Sequence, residues 1–161
     1  MNTTLSAKAK TIAGVLVARK QTIAVCESSS AGLVSAALLS VPGASAYFLG
    51  GAVVYTKVAR ETLLGIAAEE MRGIRSASEP YAALLARTVR ERFAASWGIA
   101  ETGAAGPSGN GYGDPAGHTC LAVNGARDAV RTVRTGFADR ERNMDLFAEA
   151  LLDLMIEAVQ A

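Results

Sequence analysis

The sequence predicts an α/β fold, a three-layer α/β/α sandwich with a mixed, mostly parallel sheet and a C-terminal hairpin. Short apolar runs alternate with amphipathic segments through the first two thirds of the chain, which is typical of parallel strands joined by crossover helices. The last two apolar runs instead flank Asn124-Gly125, and Asn-Gly is a strong hairpin signal. Half of the 161 residues are hydrophobic, so we expect the whole chain to form one domain with a sizeable core.

The first part of the chain is predicted to contain three helices and two strands. Apolar residues at helical spacing predict a helix over 5–19, and a continuous apolar run predicts a buried strand over 22–26. A helix is predicted over 30–40, with serine hydroxyls at its start, free N–H groups that attract anions, and a Pro-Gly pair at its end. A strand over 46–55 carries paired glycines, which indicate a bulge or a close backbone approach. A short helix is expected over 57–63.

The second part of the chain is predicted to contain three strands between two helices. A proline in the first turn predicts the start of a helix over 79–95. An apolar run predicts a strand over 97–101, and the hairpin strands are expected over 117–123 and 129–136. The final helix, over 140–158, carries an apolar stripe.

The composition argues against several classes of protein. The formal net charge is +1 and no long basic or acidic run occurs, so we expect no nucleic-acid partner. No stretch is long enough to span a membrane, and Arg19-Lys20 follow the short N-terminal apolar run where a signal peptide needs small residues. Cys26 and Cys120 are predicted to be buried thiols of a cytoplasmic protein. No Cys/His metal spacing occurs, so we expect no metal site.

Three polar loops contain the candidate functional residues. They cover residues 27–32, 42–46 and 103–115, and the first and third follow predicted buried strands. Ligands of open α/β sheets bind outside the carboxyl ends of the strands. The third loop is long for a compact domain, and such loops are usually functional or mobile. Hydroxyl and backbone N–H groups gathered there favour an anionic small molecule.

Four motifs in and around these loops resemble those of a known family. In this sequence they are Cys26-Glu27-Ser28-Ser29-Ser30-Ala31-Gly32, Pro42-Gly43-Ala44-Ser45-Ala46-Tyr47-Phe48 followed by Gly51-Ala52-Val53-Val54-Tyr55-Thr56, Gly103-Ala104-Ala105-Gly106-Pro107-Ser108-Gly109, and Phe137-Ala138-Asp139-Arg140. In combination and order they resemble the CinA C-terminal domain family, the nicotinamide-nucleotide amidohydrolases. The resemblance covers nearly the whole chain.

The resemblance implies deamidation of nicotinamide mononucleotide to nicotinic acid mononucleotide and ammonia, without a metal or cofactor. It implies that Ser45 is the nucleophile and that Tyr55, with a lysine five residues later, completes the proton-transfer set. Amide hydrolysis needs a nucleophile, a proton for the leaving ammonia and donors for the tetrahedral oxyanion. The expected partner is a small-molecule nucleotide, with neither nucleic acid nor membrane, and a homo-oligomer is expected.

The resemblance also implies that the first and third loops hold the nucleotide. The candidate contacts are Glu27, Ser28, Ser29, Ser30, Gly32, Thr102, Gly103, Ala105, Gly106, Asn110 and, at the start of the last helix, Arg140. Because Glu27 ends a strand, we expect it either to contact the ligand or to orient the serine loop. Glu101 is expected to be either a carboxylate handle for the ligand or a solvated edge residue.

The family lysine is replaced by Arg60 in this sequence. Arginine stays protonated in proteins, so it cannot act as a general base. Lys57 lies one helical turn earlier on the same predicted face and is one alternative base; Tyr55, acting beside Arg60, is another. In a third alternative, Arg60 anchors a phosphate or carboxylate, and the chain binds a pyridine nucleotide or related small anion without turnover.

Overall fold

The computed structural model describes residues 2–161 and contains every predicted helix and strand in the predicted order. The helices are α1 (Thr3–Arg19), α2 (Leu33–Leu39), α3 (Lys57–Leu64), α4 (Glu79–Phe93) and α5 (Arg140–Gln160). The strands are β1 (Ile23–Glu27), β2 (Phe48–Val53), β3 (Trp97–Ala104), β4 (His118–Asn124) and β5 (Ala129–Arg134). Two short 3₁₀ helices, Ala44–Ala46 and Ala68–Met71, were not predicted.

The five strands form one mixed sheet in the order β2-β1-β3-β4-β5. Strand β1 pairs in parallel with both β2 and β3, whereas β3-β4 and β4-β5 are antiparallel. The sheet is therefore mixed as predicted, with parallel and antiparallel pairings in equal number. The register of β1 on β2 shifts between Ile23 and Ala24, opposite Phe48 and Gly50, which is the bulge that the paired glycines predicted.

Helices cover both faces of the sheet, and each face has its own apolar core. Helices α1, α2 and α5 pack on one face, around side chains such as Leu16, Leu38 and Phe147. Helix α4 packs on the other face, where Leu85 and Val89 are fully buried. This arrangement confirms the predicted three-layer sandwich. None of the described helices combines the length and apolar character that crossing a membrane requires.

Gly98 permits the close approach of α4 to the sheet. A Cβ atom at this position of β3 would lie 2.1 Å from the carbonyl oxygen of Ala86 and 2.6 Å from Cβ of Arg90, both on α4. No side chain larger than hydrogen fits there without moving the helix. Gly98 therefore lets the second half of α4 pack directly against the amino end of β3.

The two ends of the parallel strands differ in character. At the amino end of β3, the indole of Trp97 is 2% exposed and its Nε1 donates a hydrogen bond of 3.0 Å to Oε1 of Gln21. This end is closed by packed side chains. At the carboxyl end, β1, β2 and β3 lead into polar loops, and the cavities described next lie there.

Candidate functional site

A polar cleft with a volume of about 300 Å³ lies at the carboxyl ends of the parallel strands. Its walls come from the loop after β1, the end of β2 with the start of α3, the segment before α4, the end of β3 and the long loop after it. The lining residues are Ser28, Val54, Tyr55, Thr56, Lys57, Arg60, Ser76, Ala77, Tyr81, Thr102, Gly103, Asn110 and Tyr112. This is the edge of the sheet at which the polar loops predicted a ligand site.

A second chamber of about 230 Å³ adjoins the cleft and shares Tyr55, Gly103 and Asn110 with it. The backbone from Gly103 to Gly106, with Ser108 and Gly109, forms most of its wall. Arg140, the first residue of α5, closes the chamber. Its Nη1 donates to the carbonyl oxygen of Gly106 at 2.7 Å and its Nη2 to the hydroxyl of Tyr55 at 3.2 Å. Arg140 therefore links the long loop to the end of β2.

The long loop is tied down by a partly exposed ion pair between Arg75 and Asp114. The Asp114 carboxylate accepts hydrogen bonds of 2.6 and 3.1 Å from the Arg75 guanidinium and one of 2.8 Å from the Asn110 amide. The hydrogen bonds from Arg75 are the main reason why the pKa of Asp114 lies below its ordinary value. The ring of Tyr112 lies 5.1 Å from the Arg75 guanidinium carbon. The loop that forms one wall of the cleft is thus anchored to the segment before α4.

Glu27 is fully buried and orients the serine loop, which is one of the two roles expected for it. Its carboxylate accepts backbone N–H bonds of 3.1, 2.9 and 2.9 Å from Gly32, Val34 and Ser35. It also accepts from the hydroxyls of Ser30 and Ser35. The first-turn N–H groups of α2, which we expected to attract a ligand anion, are therefore satisfied by an internal carboxylate.

Glu101 is also fully buried, so it is neither a solvated edge residue nor part of the cleft wall. Its Oε2 accepts backbone N–H bonds from Ser28 at 3.1 Å and Ser30 at 2.9 Å, and its Oε1 accepts from the Thr119 hydroxyl at 2.9 Å. Burial raises the pKa of Glu101 above its ordinary value, although these hydrogen bonds oppose the shift. Glu101 therefore affects the site indirectly, because it fixes the position of the serine loop.

Most of the remaining loop candidates line the two chambers, whereas Ser30 and Gly32 line neither and instead donate hydrogen bonds to Glu27. Ser28 and Thr102 line the cleft, and Ser29, Ala105 and Gly106 line the second chamber. The Ser29 hydroxyl donates to the carbonyl oxygen of Gly103 at 2.7 Å, which ties the first loop to the third. The two loops predicted to hold a nucleotide are therefore adjacent in space.

Ser45 lies at the amino end of β2, whereas the cleft lies at the carboxyl ends of the strands. It sits in the 3₁₀ helix that precedes β2, whereas Tyr55 follows β2. The six residues of this strand span roughly 20 Å at the usual rise per residue. Ser45 is exposed. A single chain therefore does not bring Ser45 together with Tyr55, Lys57 and Arg60, because an extended strand separates the two ends of its motif.

Tyr55, Lys57 and Arg60 share one wall of the cleft. Tyr55 and Lys57 are exposed, whereas Arg60 is buried. As the helical spacing predicted, Lys57 and Arg60 lie one turn apart on α3. Together with Arg140 they give the two chambers three basic side chains, and no acidic residue of the described chain lines either chamber. The site therefore suits an anionic ligand.

Sequence reasoning missed several residues of the site. Arg75, Ser76 and Tyr112 received no assignment, because the segment before α4 has no periodic pattern and the long loop has only turn residues. Asp114, four residues after Asn110 in a Gly-rich loop, carried a weak signal, since such acidic side chains often fix turns. Across residues 2–161, no three His, Cys, Asp or Glu side chains come close enough together to hold a metal ion.

The chain is similar to several CinA-like proteins in sequence. Those of Synechococcus sp. (strain CC9902) and Anaeromyxobacter sp. (strain K) are 40% and 39% identical to it over 123 and 140 residues. These alignments cover 76% and 87% of this chain but 29% and 34% of the relatives. The chain thus spans about a third of the length of these relatives.

The fold is similar to that of CinA superfamily crystal structures. The competence/damage inducible protein CihA from Agrobacterium tumefaciens superposes with a TM-score of 0.89 at 26% identity, covering 98% of this chain and 96% of that one. A CinA superfamily protein from Klebsiella pneumoniae has a TM-score of 0.90 at 24% identity and covers 99% of both chains. Residues 5–159 match the family model of the CinA C-terminal domain. Because this match spans nearly the whole sequence, the chain belongs to the CinA C-terminal domain family.

Proposed function

We propose that the chain binds nicotinamide mononucleotide in the cleft and deamidates it to nicotinic acid mononucleotide and ammonia. One observation carries the binding part of this proposal. Two adjoining polar chambers, with Arg60 in one and Arg140 in the other, lie at the carboxyl ends of the parallel strands. Family membership supports the reaction, because the sequence motifs resemble those of nicotinamide-nucleotide amidohydrolases.

We place the nucleotide across the two chambers in one orientation. The phosphate lies in the second chamber, against Arg140 and the backbone of Gly103 to Gly109, since guanidinium groups and glycine-rich backbone both suit phosphate oxygens. The pyridine ring passes Tyr55, which borders both chambers. The carboxamide then lies in the first chamber beside Arg60, whose guanidinium stabilises negative charge on the carbonyl oxygen during attack.

The nucleophile has to come from a second copy of the chain. Strand β2 is at the edge of the sheet and pairs only with β1 among the described residues. If two β2 edges pair antiparallel around a twofold axis, the start of one strand lies beside the end of the other. Ser45 of one copy then approaches Tyr55 of the other. The exposed apolar side chains of Leu49 and Val53 on β2 suit such a contact.

The reaction proceeds through an acyl-enzyme. The Ser45 oxygen attacks the carboxamide carbon, and Tyr55 or Lys57 accepts the serine proton and returns a proton to the departing ammonia. Water then hydrolyses the serine ester and releases the carboxylic acid. Arg60 remains charged throughout, so its part is electrostatic.

Ammonia release tests the proposal directly. The protein is incubated with nicotinamide mononucleotide, and ammonia is measured for the natural sequence, for Ser45→Ala and for Ser40→Ala as a control at another exposed serine. We expect ammonia from the natural protein and the control but not from Ser45→Ala. Equal release from all three proteins, or none from any, contradicts the proposed reaction.

Mixing two inactive variants tests the shared site. In a dimer of Ser45→Ala with the double variant Tyr55→Phe/Lys57→Gln, which lacks both candidate bases, one of the two sites carries all three substitutions and the other carries none. An equimolar mixture that exchanges subunits freely should regain about one quarter of the natural activity, because half of its dimers hold one intact site. A mixture as inactive as its components contradicts a site built from two copies.

Binding without turnover is the second candidate function. Two observations favour it: Ser45 lies far from the cleft of its own chain, and Arg60 replaces the family lysine. Calorimetry then detects nicotinamide mononucleotide binding in the micromolar range while no ammonia appears. Arg60→Lys should create activity if that lysine is the missing base, and continued inactivity would indicate further losses.

A further inference from the structure

We infer that the Arg60 end of the cleft is a carboxylate subsite, so that the chain binds an acid mononucleotide more tightly than the corresponding amide. This inference rests on the proposed pyridine mononucleotide site and specifies the chemistry of its inner end. It starts from the unusual surroundings of Arg60, which is 4% exposed and lies in the wall of the cleft.

Arg60 lacks a matched counterion. Its Nε is buried and has no hydrogen-bond partner among residues 2–161. Its Nη2 lies 3.5 Å from Oε1 of Glu61, whose side chain is 53% exposed, and a contact of this length to a solvated carboxylate is weak. A buried charge that is left unpaired is strongly unfavourable. Because the Nε atom is closed off, the positive charge is compensated best when an anion in the cleft meets the Nη groups.

The cleft around Arg60 contains donors rather than competing acids. Lys57 adds a second positive charge one turn earlier, and the hydroxyl-bearing residues Ser76, Tyr81 and Thr102 line the same chamber. No acidic side chain lines it in the described part of the chain. An anion in this chamber meets charge and hydrogen-bond donors without repulsion.

The shape of the guanidinium selects a carboxylate. Its N–H groups form a planar fork that matches two carboxylate oxygens, and such charge-assisted pairs are about twice as strong as neutral hydrogen bonds. A carboxamide offers only one oxygen, and its NH₂ group turns two further donors toward a cation. The phosphate has its own position beside Arg140, whose Nη atoms are bonded to Gly106 and Tyr55. The ligand therefore carries phosphate at one end and carboxylate at the other.

Calorimetry with the two nucleotides tests this subsite. The Ser45→Ala variant is titrated with nicotinic acid mononucleotide and with nicotinamide mononucleotide, so that turnover cannot convert the amide during the measurement. We expect the acid to bind about tenfold more tightly than the amide, which is the scale of one charge-assisted hydrogen bond. This comparison leaves every residue that lines the cleft within one chain unchanged.

Substitutions at Arg60 identify the group that recognises the acid. In the same Ser45→Ala background, Arg60→Gln should bind the two nucleotides about equally, and Arg60→Lys should keep only part of the preference because it loses the fork. Arg87→Gln, at an exposed position of α4, is the control and should keep the full preference. Circular dichroism of each variant verifies folding.

The possible outcomes separate this inference from the proposed function. If both nucleotides bind and the amide binds as tightly as the acid, the carboxylate subsite is overturned while the nucleotide site stands. A preference for the acid that survives Arg60→Gln also overturns the assignment to Arg60. If neither nucleotide binds, both the proposed function and the inference are wrong.

Discussion

Ser30 lies between two buried carboxylates, and its single hydroxyl proton cannot serve both of them. The Ser30 oxygen is 2.9 Å from Oε1 of Glu27 and 3.1 Å from Oε2 of Glu101. The hydroxyl therefore donates to one carboxylate at a time, whereas the backbone N–H groups of Ser28 and Ser30 donate to Oε2 of Glu101 throughout. Burial raises the pKa of Glu101, and the hydrogen bonds that it accepts oppose this shift. The serine loop is held by hydrogen bonds among the side chains of Glu27, Ser30 and Glu101.

Replacing Glu101 with glutamine should change how stability depends on pH. The folded protein holds the Glu101 proton more tightly than the unfolded chain, so its contribution to stability is greatest at low pH. This contribution falls as pH rises from near 4.5 through the folded-state pKa. Each tenfold change in the acid dissociation constant corresponds to about 1.4 kcal/mol. Urea unfolding at pH 5 and pH 8 should show Glu101→Gln gaining stability relative to the natural protein at the higher pH.

A control separates this effect from the general titration of the protein. Glu91 is exposed on α4, so the difference between Glu91→Gln and the natural protein should be the same at both pH values. If the difference for Glu101→Gln is also independent of pH, Glu101 is not the group that holds the extra proton.

At the scale of elements, helix and strand positions were predictable because hydrophobic periodicity is local. The exact first residue of α2 was not predictable in this way. Serines favour an N-cap, and the prediction therefore began the helix at residue 30, whereas it begins at Leu33 after Gly32 in a left-handed conformation. Glu27 and Glu101 draw the serine loop inward, and Glu101 is far away in sequence. Local propensity contains no information on that distant carboxylate.

The same reasoning explains which part of the site was predictable. The first and third loops follow parallel strands, so their meeting beside Thr102 and Asn110 followed from topology. Ser45 was grouped with Tyr55 because the two residues are close in sequence. Because a strand was predicted between them, Ser45 and Tyr55 were already expected at opposite ends of that strand. The pairing of Arg75 with Asp114 had no sequence signal, because it joins two irregular segments.

Two glycine substitutions should have opposite effects on stability. Gly98→Ala adds a methyl group 2.1 Å from the Ala86 carbonyl oxygen, and overpacking of this kind typically lowers the free energy of unfolding by about 1–3 kcal/mol. Gly14→Ala, in the exposed middle of α1 with no atom within 4 Å, should raise it by about 0.5–1 kcal/mol. Chemical denaturation measures both changes. A neutral Gly98→Ala would show that α4 can move away from β3 at little cost.

At the scale of the whole molecule, the unpaired side of β2 is the feature that favours association with a second copy of the chain. Leu49 and Val53 are 41% and 44% exposed along this edge, and an exposed apolar edge strand is a template for pairing with another chain. The expected homo-oligomer remains a prediction. The proposed reaction adds a functional reason for assembly, since each cleft needs a serine and its own chain holds Ser45 at the other end of β2.

Leu49→Lys should weaken assembly and activity together. A charge on the edge strand opposes strand pairing, so sedimentation velocity should show a shift toward monomer. Ammonia release should fall more than nucleotide binding, because the cleft belongs to one chain. Leu63→Lys, at an exposed position of α3, is the control and should leave sedimentation unchanged. A Leu49→Lys protein that sediments like the natural one contradicts assembly through β2.

The buried indole of Trp97 has a practical consequence for all of these experiments. It is the sole tryptophan of the chain, and it lies at the amino end of β3, away from both chambers. Its intrinsic fluorescence should therefore report unfolding of the sheet with little interference from a nucleotide bound at the other end. The protein thus carries its own optical probe, with which ligand-induced stabilisation can be followed without a dye or label.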